Sequence, residues 1–188
     1  MRFKTGGPDR ERFERMAEDV FPSLYGTALR LTRSPEDASD LSQEALVRAY
    51  EAFGRFDGRN FKAWMLRILT NLYINRYRKL QRTGKSASLD EEDAAEPVAP
   101  ADEAPDRLVF DNLLGAEVED ALAKVPDVFR AAVILSDIEG LSYDEVAEAT
   151  NVPVGTVRSR LARGRAILRK ELESFAREEG YLKYGSNE

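Results

Sequence analysis

An acidic stretch in the middle of the chain restricts how this sequence can fold. Residues 86–108 hold eight acidic side chains, one basic side chain and three prolines, with very few large apolar residues. Such a segment repels itself and buries too little apolar surface to offset the entropy lost on ordering. The sequence therefore predicts two domains, at 9–82 and 107–180, joined by a flexible acidic linker at 83–106.

The part of the chain before the linker is predicted to be helical. Apolar residues recur every three or four positions along residues 13–31, which is the spacing of one helix face. Ser34 and Pro35 begin a second helix, because the hydroxyl can cap it and proline suits its first turn. We expect that helix to end at Gly54, and a third helix to run from about 60 to 82.

The part after the linker is also predicted to be helical, which makes the fold class all-α. One amphipathic helix covers residues 110–122, and another runs from Pro126 to Gly140. Ser142 and Glu145 then form a capping box, which begins a further helix. No stretch shows the alternation of polar and apolar residues that is typical of a strand.

The last two helices have the arrangement of a helix-turn-helix unit. A short helix over 143–149, a turn at 151–153 and a long helix from about Val154 follow one another, as in DNA-binding motifs. The long helix is basic outside its apolar stripe, since no acidic residue occurs between Thr156 and Lys170. Arginine can hold the O6 and N7 of guanine with two parallel hydrogen bonds. We therefore expect contact with the DNA major groove rather than a merely solvated basic face.

The helix at 60–82 carries a second candidate surface. Arg67, Asn71 and Asn75 follow one another on its polar side, and Trp64 falls on the same side. A flat ring, amides and cations together suit the capture of unpaired bases. The pattern alone leaves a second interpretation equally open, in which Trp64 packs against a neighbouring helix and the arginines are solvated.

A third candidate surface is the polar side of the helix that begins at Ser34. Asp40, Gln43, Glu44 and Arg48 lie beside its apolar stripe. They could dock a partner protein, but the polar face of an amphipathic helix is usually solvated, and the spacing alone favours that interpretation.

The distribution of charge agrees with DNA binding, although the whole chain has a net charge of −6. Residues 1–85 hold 17 basic and 11 acidic side chains and are therefore positive. The excess of acidic residues lies in the linker and in residues 109–188, where the arginines gather on one helix.

The composition excludes several classes of function. The chain has no cysteine and no histidine, which excludes zinc fingers, thiol nucleophiles, histidine bases and disulfides. It also lacks a phosphate-binding loop, a calcium loop and a dinucleotide fingerprint. We expect no metal, no cofactor, no small-molecule substrate and no enzymatic activity. Because no apolar run is long enough to cross a membrane, we also expect a cytoplasmic protein without membrane insertion.

Residues 37–44, 64–71 and 140–161 are the most specific parts of the sequence. They run from Asp37 to Glu44, from Trp64 to Asn71 and from the Gly-Leu-Ser-Tyr stretch to the basic helix. Together, and in this order, they resemble a bacterial sigma factor of the extracytoplasmic-function (ECF) type, the minimal two-domain form of the sigma-70 family. The resemblance implies a subunit that directs core RNA polymerase to promoters.

The resemblance also implies a role for each candidate surface. Binding to the β′ clamp helices of the polymerase would fall to Asp40, Gln43, Glu44 and Arg48. Capture of unpaired bases of the −10 element would fall to Phe56, Phe61, Trp64, Arg67, Asn71, Asn75, Arg78 and Lys79. Reading of the duplex −35 element would fall to Tyr143, Thr156, Arg158, Ser159, Arg160, Arg163 and Arg165. Further implied partners are the polymerase β flap and an anti-sigma factor.

Finer features of the family are less uniformly matched. Ala162 and the loop at 54–60 depart from the commoner pattern, and the promoter elements implied are a GGAA-like −35 and a GTT-like −10. Residues 73–79 resemble the subgroup that answers thiol-oxidative stress, which implies a small zinc-binding anti-sigma factor. Because the chain has no cysteine, redox sensing would then lie in that partner. A membrane-anchored anti-sigma factor is the alternative.

Two other classes of function are weighed against this one. A stand-alone regulator would bind operators through the helix-turn-helix and dimerise through its N-terminal domain, which leaves the surface around Trp64 and Asn71 unused. A DNA-cleaving or recombining enzyme could use Tyr73 or Tyr77, but no acid–base partner is evident in the sequence.

Overall fold

A computed structural model of the chain describes residues 8–82 and 115–178, which form two compact helical units. The N-terminal unit consists of α1 (Pro8–Thr32), α2 (Pro35–Ala52) and α3 (Phe61–Arg82), with a 3₁₀ turn at Phe53–Arg55 after α2. Each of the three helices packs against the other two. The centre of this core is at most 1% exposed and contains Leu24, Leu31, Leu41, Met65 and Leu69.

Ser34 begins α2 as predicted from the sequence. Its Oγ accepts a hydrogen bond of 3.2 Å from the backbone N–H of Asp37, and Pro35 occupies the first turn. Two carboxylates in that turn, those of Glu36 and Asp37, face the positive end of the helix dipole. The start of α2 is therefore fixed by local contacts alone.

The predicted end of α2 at Gly54 lies two residues beyond the observed one, and Gly54 does not take the left-handed conformation expected of it. The helix ends at Ala52, and the chain tightens into the 3₁₀ turn, in which the N–H of Phe56 donates to the carbonyl of Phe53 at 3.0 Å. Phe53 is 9% exposed, so burying its ring keeps the chain in a right-handed turn where a glycine reversal was expected. Positive φ occurs instead at Gly58, at 84°.

The C-terminal unit contains α4 (Ala116–Lys124), α5 (Asp127–Val133), α6 (Tyr143–Thr150) and α7 (Val154–Glu178). A π-helix at Ile134–Ile138 continues α5 directly, which the apolar pattern did not predict. Gly140 follows it with a φ of 75° and ends the segment as predicted. Both α4 and α5 pack against α7.

A glycine allows the close approach of α5 and α7. A Cβ atom at Gly164 of α7 would lie 2.7 Å from Cγ2 of Val133 and 3.3 Å from the carbonyl oxygen of Phe129. Such distances are shorter than van der Waals contact, so only glycine fits here without movement of α5. The apolar stripe predicted for this helix is confirmed, because Val157, Leu161 and Leu168 are at most 1% exposed.

Residues 8–82 and 115–178 contain no β-strand, and the all-α fold class is confirmed. The predicted linker at 83–106, and residues 110–114 of the helix predicted over 110–122, lie outside the described residues. In the part of the chain that the structure describes, no helix has both the length and the apolar character needed to cross a bilayer.

Candidate nucleic-acid interface

An aromatic cluster formed by Phe53, Phe56, Phe61 and Trp64 lies where the chain enters α3. The ring centroid of Trp64 is 5.0 Å from that of Phe56, 5.7 Å from that of Phe61 and 6.5 Å from that of Phe53. Phe61 is buried at 6% exposure, whereas Phe56 and Trp64 are partly exposed. Trp64 therefore packs against its neighbours and still presents part of its ring to solvent.

Local hydrogen bonds fix the loop that leads into this cluster. Asn60 caps α3, since its Oδ1 accepts from the N–H of Ala63 at 3.1 Å. Asp57 Oδ1 accepts from the N–H of Arg59 at 3.1 Å, and Gly58 supplies the left-handed turn between them. The backbone from 57 to 63 thus holds the rings on either side of it in place.

The polar side of α3 runs on from Trp64 as predicted. Arg67 and Asn75 are exposed and Asn71 is partly exposed. The Nδ2 of Asn71 donates to the carbonyl of Arg67 at 3.0 Å, which holds the amide against the helix surface. Arg78 and Lys79 belong to α3, but their side chains lie outside the described residues.

The predicted polar surface of α2 is solvent-exposed and partly paired. Asp40 and Gln43 are exposed. Glu44 forms an ion pair with Arg76 of α3, in which Oε2 of Glu44 lies 2.5 Å from Nη2 of Arg76. Its Oε1 lies 3.9 Å from Nη2 of Arg48. The Arg76 ion pair thus joins the exposed sides of α2 and α3.

Val47 is a member of the α2 surface that the sequence analysis missed. It is 58% exposed and is separated from Glu44 by one helical turn. Apolar residues in an amphipathic helix are read as core, so only the period of its neighbours could have indicated that Val47 faces outward. A single exposed valine is common on protein surfaces, so Val47 by itself does not indicate a partner.

The helix-turn-helix unit is confirmed in its local geometry. The N–H of Ser142 donates to Glu145 Oε2 at 2.9 Å and the N–H of Glu145 donates to Ser142 Oγ at 3.3 Å, which is the predicted capping box. Asn151 takes a φ of 54° in the turn. The first turn of α7 closes as the N–H of Thr156 donates to the carbonyl of Pro153 at 2.9 Å.

The basic side of α7 is not uniformly available to a ligand. Arg158 is exposed, while Thr156, Ser159 and Arg160 are partly buried. Ser159 Oγ donates to the carbonyl of Thr156 at 2.9 Å, and the guanidinium of Arg163 lies 5.7 Å from the centre of the Phe129 ring.

Arg165 and Tyr143 occupy a second part of this surface. The guanidinium of Arg165 binds Asp137 through two bonds, Nε to Oδ2 at 3.0 Å and Nη2 to Oδ1 at 2.7 Å. Hydrogen bonding to Asp137 raises the pKa of Arg165 above its ordinary value, and Tyr143 adds to this effect. Tyr143 itself is 37% exposed. No pattern in the sequence predicted the pair with Asp137.

Comparisons with known proteins show the family of the chain. The family model for sigma-70 region 2 matches residues 16–83, and that for sigma-70 region 4 matches residues 115–168. The ECF RNA polymerase sigma factor SigW of Bacillus subtilis is 33% identical over 177 residues, which cover 89% of this chain and 92% of SigW. The chain belongs to the ECF sigma factor family.

Other relatives of this ECF sigma factor give the same result. SigE of Mycolicibacterium smegmatis is 39% identical over 155 residues, which cover 82% of this chain and 59% of SigE. This sigma factor therefore spans less than two thirds of that relative. Among solved structures, sigma factor RpoE of Bartonella quintana, in complex with the anti-sigma factor NepR, has a TM-score of 0.66 at 27% identity. The match covers 87% of this chain and 98% of the RpoE chain.

Proposed function

We propose that this ECF sigma factor binds core RNA polymerase, directs it to particular promoters and helps to open the −10 element. One observation carries the proposal: the region 2 match contains the aromatic cluster, and the region 4 match contains the helix-turn-helix. A stand-alone operator-binding protein would need only the second of these. We place its action in the bacterial cytoplasm, where the polymerase works.

The proposed −10 surface captures unpaired bases rather than a duplex. Trp64, backed by Phe56 and the buried Phe61, offers a partly exposed ring on which a base can stack. Stacking on an aromatic side chain contributes about 1–3 kcal/mol per base. Asn71 and Arg67 continue the surface along α3, with an amide for base edges and a cation for phosphate. Asn75, Arg78 and Lys79 extend the same proposal.

The proposed −35 surface is the N-terminal part of α7. Arg158 is exposed there, and Ser159 and Arg163 are partly exposed. Each well-placed bidentate contact from arginine to guanine contributes about 1–3 kcal/mol of discrimination. Contacts with the DNA backbone or with flanking bases are proposed for Thr156, Arg160 and Tyr143. The C-terminal unit as a whole is proposed to bind the β flap.

The proposed polymerase surface is the exposed side of α2. Asp40, Gln43, Glu44 and Arg48 would contact the β′ clamp helices, and Val47 would supply an apolar contact among them. The ion pairs of Glu44 with Arg48 and Arg76 hold these side chains on one side of the helix before a partner arrives.

Control by an anti-sigma factor is also proposed. The solved relative from Bartonella quintana is a complex with one. We favour a zinc-binding inhibitor of the thiol-oxidative type, with a membrane-anchored inhibitor as the alternative. Support comes from residues 73–79 and from the absence of cysteine and histidine in this chain, which would leave both zinc binding and thiol chemistry to the partner.

Transcription from purified components tests the proposal. The chain is added to core polymerase on a library of promoter fragments, and we expect initiation that depends on the chain. Asn71→Ala should reduce permanganate reactivity of the −10 thymines while retention on the duplex −35 element is unchanged, because the amide acts only on open DNA. Initiation that is equal with and without the chain would overturn the proposed function.

A further inference from the structure

Asp137 is a buried carboxylate in an unusual backbone segment. It belongs to the π-helix at Ile134–Ile138, in which the N–H of Glu139 donates to the carbonyl of Ile134 at 2.9 Å, five residues back. Its side chain is only 5% exposed. A charged group this deeply buried requires a partner, because the cost of removing it from water is otherwise large.

Arg165 provides that partner from the middle of α7. Its Nε and Nη2 each donate to a different oxygen of Asp137, at 3.0 Å and 2.7 Å. This parallel arrangement fixes direction as well as distance, which a single charged contact does not. With its side chain 25% exposed, Arg165 is turned toward the protein rather than toward a ligand.

The π-helix explains why the two groups meet. A π turn contains an extra residue compared with an α turn, so side chains after it are rotated relative to those of a continuous α-helix. Asp137 lies within that turn, beyond the part of α5 that packs against Gly164 of α7. The pair therefore makes a second contact to α7, one residue along from the glycine packing.

We propose that the pair of Asp137 and Arg165 positions the DNA-reading end of α7, and that Arg165 is a positioning residue rather than a DNA contact. The inference rests on the proposed function of α7 as the −35 reader. One arginine of the basic face is therefore not a DNA contact, because Asp137 neutralises the charge of Arg165 and the pair fixes the position of α7. The remaining arginines, of which Arg158 is exposed, would make the readout.

The two roles of Arg165 differ in what they predict for substitutions. If Arg165 bound a DNA phosphate, Arg165→Lys would keep the contact, and Asp137→Asn would release the arginine and strengthen binding with a steeper salt dependence. If the pair positions α7, Arg165→Lys loses the double hydrogen bond, and Asp137→Asn weakens binding in the same way. The effect of Asp137→Asn on affinity for the −35 element thus has opposite signs under the two roles.

The experiment uses holoenzyme made from core polymerase and the full chain, with a promoter library randomised at the −35 element. For Arg165→Lys and for Asp137→Asn we expect retention on the best −35 sequences to fall on the order of tenfold, the middle of the range for coupled neighbours. Preference should weaken at every −35 position. Arg158→Ala should instead relax one position, and the matched control Arg169→Lys, at an exposed site of α7, should change nothing.

The double variant and thermal unfolding complete the test. Because either substitution already breaks the pair, Asp137→Asn with Arg165→Lys should be no weaker than the single variants, both in −35 retention and in the unfolding temperature. A variant that is only less stable would keep the wild-type −35 preference in its folded fraction, and that outcome overturns positioning. Stronger binding by Asp137→Asn, or strictly additive unfolding effects, overturns it as well. If wild-type holoenzyme selects no −35 sequence, the proposed function fails, and the additivity of unfolding still decides whether the pair acts as a unit.

Discussion

The two candidate DNA surfaces are held in place in different ways. Around Trp64, the rings that contact the indole come from residues 53–61, and Phe13 of α1 packs behind them against Phe53 and Phe61. On α7, the contacts that orient the arginines come from α5 and the π-helix, as Asp137 lies 28 residues from Arg165. The −10 surface should therefore respond mainly to local changes, whereas the −35 surface should respond to the packing of its whole unit.

The cores of the two units differ in a related way. In the C-terminal unit, α5 and α7 approach so closely that Gly164 has no room for a Cβ atom. In the N-terminal core, the hydroxyls of Ser42 and Thr70 are buried without a hydrogen-bond partner among the described residues. An added atom at Gly164 should thus be costly, whereas replacement of a buried hydroxyl of the N-terminal core by a methyl group should cost little.

Gly164→Ala should have the largest effect. The new Cβ atom would meet Val133 and the backbone of Phe129, and overpacking of this kind costs about 1–3 kcal/mol. We expect the free energy of unfolding of the C-terminal unit to fall by that amount. In a denaturant titration of the full chain, its transition should move to a lower denaturant concentration. Retention on the −35 element should fall with it.

Gly155→Ala is the matched control for this substitution. Gly155 lies in the same helix with no atom within 4 Å of its added Cβ, and alanine favours a helix over glycine by up to about 1 kcal/mol. The variant should be unchanged or more stable. If both alanine variants leave stability unchanged, the close packing of α5 and α7 does not limit the stability of this unit.

Trp64→Ala should affect opening and leave the C-terminal unit untouched. Loss of one stacking platform removes about 1–3 kcal/mol per base, which corresponds to roughly 5- to 150-fold in the formation of open promoter, measured by permanganate reactivity. Trp64→Phe is the control, because it keeps an aromatic face against Phe56. Equal loss in both variants would indicate that the indole does more than stack.

Much of this architecture could be predicted from local signals. Two helix starts were predicted in this way, from Ser34 with Pro35 and from Ser142 with Glu145. Hydrogen bonds in the structure confirm both. The end of α2 could not be predicted from Gly54, because burial of Phe53 decides the backbone there. Such burial is a property of the packed unit and leaves no local trace in the sequence.

The same distinction applies to the candidate sites. The polar side of α3 follows from helical period alone, so Arg67, Asn71 and Asn75 fall together in both sequence and structure. The tethering of Arg165 by Asp137 could not be predicted, since it depends on a π-helix and on two segments far apart in the chain. A helical projection therefore predicts which side of a helix a basic residue lies on, but not whether that residue binds a ligand or another part of the protein.

Ser34→Ala should have a smaller effect, confined to the N-terminal unit. It removes the acceptor for the N–H of Asp37, and loss of such a cap costs about 1 kcal/mol. Denaturant titration should show this shift in the N-terminal transition only. Ser34→Asp, whose carboxylate can still accept the bond, should restore stability; a loss equal to that of alanine would show that the hydroxyl does not cap α2.

Thr70→Val should have the smallest effect and the opposite sign. Thr70 is fully buried on α3, and its hydroxyl has no hydrogen-bond partner among the described residues. Valine has nearly the same shape, so the substitution removes an unsatisfied polar group without opening a cavity, and we expect between no change and about 1 kcal/mol of stabilisation. Thr70→Ala is the control, because it removes the hydroxyl together with a packed methyl group and should destabilise the unit. A clear loss of stability in Thr70→Val would mean that the hydroxyl is satisfied in solution by a buried water.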